Sequence, residues 1–573
     1  MNKAAFGDVL DIDDEDVIID DDDSEIDNSF FETRYHGIKV LILAPHPDDE
    51  INVAGNMILN LSRARAEIFV AYTTNGDFEI DAAIRAVEAA EALNILGVKR
   101  DHIFFLGYGD TFNGTGKPHI FFADMPTKSP AGHVETYPAG DFIDYAYIKR
   151  KNHSKYTRQS YLRDLKDLIL DIEADVIFCV DFDKHADHRM LSISFEQVIA
   201  EILLRQGNTY KPEIYKRFAY STAFTAERDF YSDNLKETLQ PVINKIESYD
   251  FDLINRANYI WNDRARFPIA EDCRKTLLAD NPIAKAIFQH KSQRNEWNAL
   301  GIINSDEIYF ERRTDNLIYM AKIEATSGDF QKVSDFHIIN TADIDATPPK
   351  FSNYLWIPAP NDTERRLTLT WSCLQQIEQV KIYSGISDDS GFDKLSVKFD
   401  DVYEIEIDFS NSSAPIVIDF AEKIFATSAE FKIIEAHGES CGISEIEIFA
   451  NREPVKIIKP FIKITAADNF IYNYLVPNDV DKICLSIYRF HISKPVEIIV
   501  SGGEIEGNGD NFIVNLNCDE VAVRAQITDE PSIFDQIKIC RVSQFYFWRL
   551  RLNQLLERLK IHLKRKFRFE VNL

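Results

Sequence analysis

The stretch IKVLILAPHPDDE, residues 38–50, decides the fold of the first half of the chain. Its run of Val, Ile and Leu is typical of a strand that is buried on both faces of a parallel sheet. A helical pattern follows over residues 51–66, so the stretch predicts a strand, a polar loop and a helix. In open α/β sheets, ligands bind beyond the carboxyl ends of the strands, which is where this loop lies.

The same alternation of buried runs and helical patterns continues along the chain. Its segments are 67–73, 81–97, 102–106, 161–172, 175–180 and 190–204. Strands interleaved with helices predict a Rossmann-like α/β domain with a mostly parallel sheet, which we assign to residues 35–330. Between residues 108 and 155, Gly and Pro punctuate a segment without a clear period, which predicts a lid or binding loop.

After residue 345 the helical pattern disappears. Short strand-like runs separated by Gly, Ser, Asn and Asp predict two antiparallel β-sandwiches, over residues 346–452 and 455–540. The predicted strands are 367–371, 380–383, 403–409, 414–420, 429–434 and 443–449 in the first, and 461–465, 483–488, 496–500, 512–516 and 521–525 in the second.

The formal charge of -29 is distributed unevenly. Residues 1–34 carry thirteen Asp or Glu against two Lys or Arg, which predicts a disordered acidic tail. Residues 541–573 carry nine Lys or Arg against two Glu, so the two ends are expected to attract each other. The acidic surplus argues against nucleic acid as a partner, because phosphate affinity comes from clustered cations.

Residues 541–573 also predict a basic amphipathic helix. Such a helix can lie on an anionic membrane surface, and it can equally pack against a sandwich or a partner subunit. The oligomeric state is left open. The apolar residues of its face are Trp548, Leu552, Leu555, Leu556, Leu559, Leu563 and Phe567.

The seven Cys residues and the N-terminal sequence bear on the compartment. The Cys residues are scattered, odd in number and without a C-x-x-C pair, which favours reduced thiols. The sequence has neither the profile of a signal peptide nor an apolar run of about 18 residues that could span a bilayer. We therefore expect a cytoplasmic protein, with membrane association through residues 541–573 as an option.

Two polar loops at predicted strand ends carry the chemistry. The first contains His46, Asp48, Asp49 and Glu50, and the second covers residues 181–188, with the sequence DFDKHADH. Taken separately, each cluster is explained by acidic residues that cap a helix and offset its dipole. Together they supply the imidazole and carboxylate ligands of a catalytic divalent metal.

This pair of motifs resembles the PIG-L/LmbE superfamily of zinc-dependent N-deacetylases, which act chiefly on N-acetylglucosaminyl compounds. The resemblance lies in HPDDE (residues 46–50) and HADH (residues 185–188), and it covers about residues 37–320. It implies Zn²⁺, or another divalent metal, as the cofactor, and Asp48 as the general base. By this resemblance the metal ligands are His46, Asp49 and His188.

Physical reasoning supports the same division of roles. Adjacent side chains at a strand end point in different directions, so one carboxylate can bind the metal while Asp48 takes a proton from the attacking water. His185 is placed to donate a proton or a hydrogen bond to the tetrahedral oxyanion. Asp187 is expected to orient a histidine, and its alternative role is a helix N-cap.

Candidate substrate contacts rest on the resemblance. Arg85 and Asp110 match positions that contact sugar hydroxyls in the family, and both side chains suit polyol recognition. The alternative for Arg85 is a surface ion pair with Glu88. Residues 75–77, with the sequence NGD, are expected to form a plain turn, and HKSQ at residues 290–293 resembles a late family segment without an assigned role.

The sequence departs from the family before His185. Some members carry a tyrosine there that helps to hold the oxyanion, whereas this chain has DFDK at residues 181–184. We expect His133 and Tyr137, from the lid segment, to replace it.

The first sandwich resembles a discoidin, or F5/8 type C, domain. The resemblance lies in Trp371, VKIY at residues 380–383 and GISEIEIF at residues 442–449. It implies either glycan binding or a purely structural sandwich.

The predicted function is removal of the N-acetyl group from an N-acetylglucosamine-type sugar or glycoconjugate precursor by a metal-dependent hydrolase. The alternatives are another metal-dependent amidase and a non-catalytic glycan-binding protein built on the same domain.

Overall fold

The computed structural model describes most of the chain between residues 28 and 567. The described residues are 28–110, 120–182, 185–205, 207–219, 259–260, 263–267, 269, 273, 280–293, 303, 307–338, 354–384, 391–408, 415–438, 441–466, 474–507 and 509–567. Residues 1–27 of the predicted acidic tail therefore lie outside the described residues. Residues 28–34 belong instead to helix α1, Asn28–Tyr35, because Phe31 and Tyr35 are buried in the core.

The first domain has the predicted α/β architecture. Its seven strands are β1 Lys39–Ala44, β2 Glu67–Thr74, β3 Ile103–Tyr108, β4 Val176–Val180, β5 Glu213–Arg217, β6 Ala265–Phe267 and β7 Glu307–Arg312. They lie in the order β3-β2-β1-β4-β5-β7-β6. The pairs among β1 to β5 are parallel, whereas β7 runs antiparallel to β5 and β6, so the prediction of a mostly parallel sheet is confirmed.

Helices of this domain follow the strands. Those described after α1 are α2 Asp49–Arg63, α3 Ala82–Ile95, α4 Tyr145–Arg150, α5 Arg158–Ile172, α6 Ala186–Leu203 and α7 Pro282–Ile287. Helix α4 lies inside the segment predicted as a lid without regular structure, and Asp144 caps it by accepting from the backbone N–H of Tyr147. Residues 111–119 of that segment lie outside the described residues.

The pairing of β1 with β4 positions the two polar loops. Val40 pairs with Val176 and Leu43 with Cys179, so the two strands end nearly level at the same edge of the sheet. All five residues of β4, and five of the six residues of β1, are buried, as expected for strands covered on both faces. The loops that follow these strands therefore lie side by side.

The first antiparallel β domain contains a six-stranded sheet. Its strands are β8 Lys322–Ala325, β9 Arg366–Ser384, β10 Gly391–Phe399, β11 Tyr403–Asp408, β12 Ile416–His437 and β13 Ile443–Phe449. The prediction divided β9 and β12 into two short strands each. In the structure each is one long strand, because register shifts between Asp419 and Ile424, and between Ala426 and Ser428, carry the pairing through the polar stretches.

The second antiparallel β domain contains two four-stranded sheets. Their orders are β14-β16-β19-β18 and β15-β21-β20-β17, and helix α8, Gln544–Phe567, follows. Within the described part of the chain, no helix is both long and apolar enough to cross a membrane. The strands are β14 Phe461–Ala466, β15 Leu475–Pro477, β16 Lys482–Phe490, β17 Val496–Ser501, β18 Gly503–Glu506, β19 Asn511–Leu516, β20 Glu520–Ile527 and β21 Glu530–Val542.

A buried charge network joins the α/β domain to the first β domain. Glu196 on α6 forms an ion pair with Lys216, whose Nζ lies 2.9 Å from Oδ1 of Asp181. Arg312 lies 3.7 Å from Glu196 and 3.8 Å from Glu447 of the β domain. Burial raises the pKa of Glu196, but the neighbouring cations, Lys216 first, outweigh it and lower that pKa to about 2.

We expect Glu196→Gln to lower the free energy of unfolding by about 3–5 kcal/mol at neutral pH, because it leaves buried cations without their counter-charge. Urea unfolding measures the change. Glu324→Gln is the matched control, since Glu324 is exposed and its pair with Lys322 contributes at most about 1 kcal/mol. Equal stability of the wild-type and Glu196→Gln proteins would contradict the role assigned to the network.

The same variant carries a pH signature. The pKa of Glu196 lies near 2 in the folded protein, below about 4.3 in an unfolded chain, so its ionised form stabilises the fold above that higher value. This stabilisation is lost as the pH falls from about 4.3 towards 2. We expect the stability gap between the wild-type and Glu196→Gln proteins to narrow over this range, whereas a gap independent of pH would contradict the lowered pKa.

Candidate metal centre and substrate cavity

The three predicted metal ligands lie together at the carboxyl edge of the sheet. His46 lies in the loop after β1, Asp49 is the first residue of α2, and His188 lies in the first turn of α6. Oδ2 of Asp49 is 2.9 Å from Nδ1 of His46 and 3.2 Å from Nε2 of His188. All three side chains are buried, so the donor atoms are held within a closed cluster.

This donor set fits a divalent ion. Two imidazoles and a carboxylate are ligands that a catalytic zinc uses, and bonds of about 2.0–2.1 Å in a tetrahedron place donor atoms about 3.3 Å apart. The two contacts of Asp49 come close to that spacing. Ligand nitrogens of His46, His185 and His188 also lie within 4.8 Å of one another.

Asp187 and Asp110 approach the other nitrogen of His46. Oδ2 of Asp187 lies 3.2 Å from Nε2 of His46, and Oδ2 of Asp110 lies 3.8 Å from it. His46 therefore has Asp49 on one ring nitrogen and Asp187 on the other, an arrangement in which a carboxylate fixes the ring of a metal-binding histidine. Asp110, predicted as a substrate contact, lies at the same cluster and is buried.

The N-cap role proposed as an alternative for Asp187 belongs to His185. Nδ1 of His185 accepts the backbone N–H of Asp187 at 3.3 Å. The acceptor atom carries no proton, so in the neutral ring the proton is on Nε2. Burial and the neighbouring His46 and His188 hold the pKa of His185 well below its usual range, which favours this neutral form.

Opposite charges stabilise each other within the cluster. Burial lowers the pKa of His46, but hydrogen bonds with Asp187 and Asp49 outweigh it and hold that pKa well above its usual range. Burial raises the pKa of Asp49, but His188 and His46 outweigh it and hold that pKa well below its usual range. The carboxylate is therefore ionised, which is the form that binds a metal.

Among the three consecutive acidic residues of the first loop, Asp48 differs from the other two. Its side chain is 14% exposed, whereas Asp49 and Glu50 are fully buried. Glu50 forms an ion pair with His290, whose Nε2 lies 2.7 Å from Oε1. Only Asp48 of the three is thus placed to reach a substrate or its attacking water.

Arg85 is buried and holds Asp48 in place. Its Nη2 donates to Oδ1 of Asp48 at 2.8 Å, and its Nη1 donates to the carbonyl of Gly76 at 2.9 Å. The surface ion pair with Glu88, the alternative from the sequence, is wrong, because Glu88 accepts instead from the backbone and hydroxyl of Ser292. The structure therefore brings Arg85 into the site through Asp48.

Residues 75–77, which were predicted as a plain turn, lead into a turn at residues 77–79 and have more than a connecting role. Asp77 accepts from the backbone N–H of Asp110 at 2.7 Å and from the hydroxyl of Tyr137 at 2.6 Å. Gly76 has a φ of +63°, and a Cβ there would collide with the Arg85 guanidinium. The sequence NGD predicted the turn, but nothing in it indicated these distant partners.

A cavity of about 540 Å³ opens beside Asp77. His133 and Tyr137 line one side and stack with ring centroids 3.9 Å apart. Phe78 and Glu79 also line it. Its volume lies within the range of small-molecule sites. The hydrogen bond between Asp77 and Asp110 links its wall to the side chains around His46.

The loop before His185 is described only in part. Asp183 and Lys184 lie outside the described residues. Asp181 is buried, and its Oδ2 accepts from the hydroxyl of Tyr259 at 2.7 Å. Tyr137 was predicted as the substitute for the missing family tyrosine. Its hydroxyl donates a hydrogen bond to Asp77 rather than to the side chains around His46.

Comparison with known proteins agrees with the resemblance seen in the sequence. Residues 41–199 match the family model described as PIG-L: GlcNAc-PI de-N-acetylase. This match confirms the PIG-L resemblance over those residues, which include all three predicted ligands. No curated protein matches the chain.

Several solved structures are similar to part of the chain. The N,N'-diacetylchitobiose deacetylase from Pyrococcus horikoshii, complexed with its inhibitor, is 19% identical, with 48% of this chain and 84% of that chain covered and a TM-score of 0.27. A family 32 CBM from C. perfringens NanJ in complex with galactose is 17% identical, with coverages of 22% and 93% and a TM-score of 0.17. Chitosan-binding module 2 from a Paenibacillus chitosanase/glucanase is 14% identical, with coverages of 23% and 99% and a TM-score of 0.17.

We expect the full-length protein to bind Zn²⁺, with the affinity set by the ligands in a graded way. His46→Ala removes a donor atom and should weaken binding by more than 100-fold. Asp187→Asn alters only the partner of that donor and should weaken binding by about 10–100-fold. A competition titration against a zinc-sensitive dye measures both.

The matched control is His437→Ala, because His437 is an exposed histidine that pairs with Asp393 on the first β domain. Its zinc affinity should equal that of the wild-type protein. A loss for Asp187→Asn as large as that for His46→Ala would make Asp187 a ligand, against the assignment above.

Proposed function

We propose that this protein is a zinc-dependent hydrolase that removes the N-acetyl group from an N-acetylglucosamine-type sugar or glycoconjugate precursor. The observation that carries the proposal is the convergence of His46, Asp49 and His188 beside a partly exposed Asp48. All four residues lie inside the segment that matches the PIG-L model. That agreement between geometry and family supports amide hydrolysis over a purely binding role.

The proposed chemistry begins at Asp48. His46, Asp49 and His188 would hold a divalent ion, which when bound would supply Lewis-acid activation of water and of the amide carbonyl. The Asp48 carboxylate takes a proton from the attacking water and returns it to the leaving amine nitrogen as the C–N bond breaks. Arg85, which donates to Oδ1 of Asp48, orients that carboxylate. Burial of Asp49 and Glu50 leaves Asp48 as the base that this loop can present.

His185 completes the proposed machinery. Its neutral ring carries the proton on Nε2, because Nδ1 accepts a hydrogen bond from the backbone. The Nε2–H group can therefore donate to the carbonyl oxygen, which becomes an oxyanion when water adds to the amide carbon. The ring centroid lies 4.7 Å from that of His46 and 4.8 Å from that of His188, next to the metal ligands. Asp187 holds His46 in the orientation that this arrangement requires.

The cavity supports a sugar as the substrate. Its aromatic pair, His133 and Tyr137, offers a flat apolar surface, and its carboxylates offer acceptors for hydroxyl groups. Asp110 lies between Asp77 of the cavity wall and His46 of the proposed metal site, which suits its proposed contact with the sugar. Arg85 is proposed to contact a sugar hydroxyl while it holds Asp48.

The direct test is acetate release by the zinc-loaded full-length protein from a panel of amides. We expect release from N-acetylglucosamine conjugates and much less from N-acetylated amino acids or simple anilides. Preference for a non-sugar amide would replace the sugar substrate with another amidase activity. Glycan binding without release from any amide would overturn the enzymatic proposal.

We expect Asp48→Asn to lower kcat by about 10²–10⁴-fold, because the amide cannot accept the proton. Zinc content, measured in the same preparation, should remain that of the wild-type protein, because Asp48 is not a proposed ligand. The matched control is Asp141→Asn, whose side chain is 94% exposed, and it should keep full activity. Wild-type kcat in Asp48→Asn would remove Asp48 from the mechanism.

A further inference from the structure

Helix α8 has a face that the second β domain covers and, opposite it, an apolar face that is exposed. Phe547 is fully buried, and Leu550 and Gln554 on the same face are partly buried. The first turn is attached to the domain, since the side-chain amide of Gln544 donates to the carboxylate of Asp479. This face accounts for how the helix is attached.

The opposite face is an apolar stripe that remains exposed in the structure. With 100° between successive residues, its members fall within a sector of about 100° that lies opposite Phe547. Their exposed fractions range from 43% to 78%, so the structure leaves this face accessible to a partner. The stripe consists of Phe545, Trp548, Leu552, Leu555, Leu556 and Leu559.

The charge of the helix indicates the kind of partner. Residues 544–567 contain seven Lys or Arg against one Glu, within a chain whose formal charge is -29. Arg549 and Lys560 are exposed beside one edge of the stripe, where long basic side chains can extend to anionic groups while the leucines are buried. A second copy of the helix would bring like charges together, whereas an anionic surface is complementary.

We propose that α8 docks on the surface of an anionic lipid bilayer through this stripe. An amphipathic helix with aromatic and leucine side chains on one face and cations on the other lies in the plane of the membrane interface. Each nearby Lys or Arg adds attraction to anionic headgroups. The second β domain, held by the opposite face of the helix, is thereby brought to the membrane with the rest of the chain.

The test uses the full-length protein and co-sedimentation with vesicles. We expect binding to vesicles of phosphatidylcholine with about a third phosphatidylglycerol, and at least about tenfold weaker binding to phosphatidylcholine alone. Raising the salt concentration should weaken binding to the anionic vesicles. The variant Leu552→Glu/Leu555→Glu/Leu559→Glu should lose at least about tenfold in affinity, and the positions are exposed, so the fold is retained.

Val402→Glu is the matched control, because Val402 is an apolar residue that is 86% exposed on the first β domain, and its binding should be unchanged. Equal binding of the triple variant and the wild-type protein would overturn the proposal. So would a dimer, measured by light scattering without lipid, that the triple variant dissociates. Vesicle binding that appears only after removal of residues 1–27 would also overturn the proposal, because that acidic segment would then be the partner that covers the stripe.

Discussion

The parallel pairing of β1 with β4 is the constraint on which the candidate site depends. His46 and His188 are far apart in the sequence, and they meet because these two strands run in the same direction and end at the same edge. In a strand, a register shift of one residue turns every side chain to the other face. The buried apolar side chains of both strands therefore determine the spacing of the predicted metal ligands.

The electrostatics of the site follow from this crowding. Asp49, Asp110 and Asp187 are buried around His46, and buried carboxylates require a counter-charge or hydrogen bonds. His46 and His188 are the partners of these carboxylates, which is why the pKa of His46 lies above its usual range and that of Asp49 below it. A bound divalent ion would take over the same role and release the proton held by His46.

Local sequence patterns were enough to predict the α/β elements and the position of the candidate site. The alternation of buried runs and helices predicted the α/β domain. The two polar loops at strand ends predicted a metal site, and their resemblance to the PIG-L/LmbE motifs selected His46, Asp49 and His188, which the structure brings together. The contacts of Glu50 with His290 and of Asp77 with Tyr137 were missed, because they join residues 240 and 60 positions apart that no local period relates. Strand β12 was divided because bulges and exposed polar residues interrupt its alternation without ending the strand.

The buried network of Glu196, Lys216, Arg312 and Glu447 bears on how such a chain could have evolved. Domains that are exchanged between proteins usually meet at surfaces that remain soluble when they are separated. Here the carboxylate of Glu447 in the first β domain neutralises buried cations of the α/β domain. Separating the two domains would leave unpaired charges in each of them. The two domains would therefore be inherited as one unit.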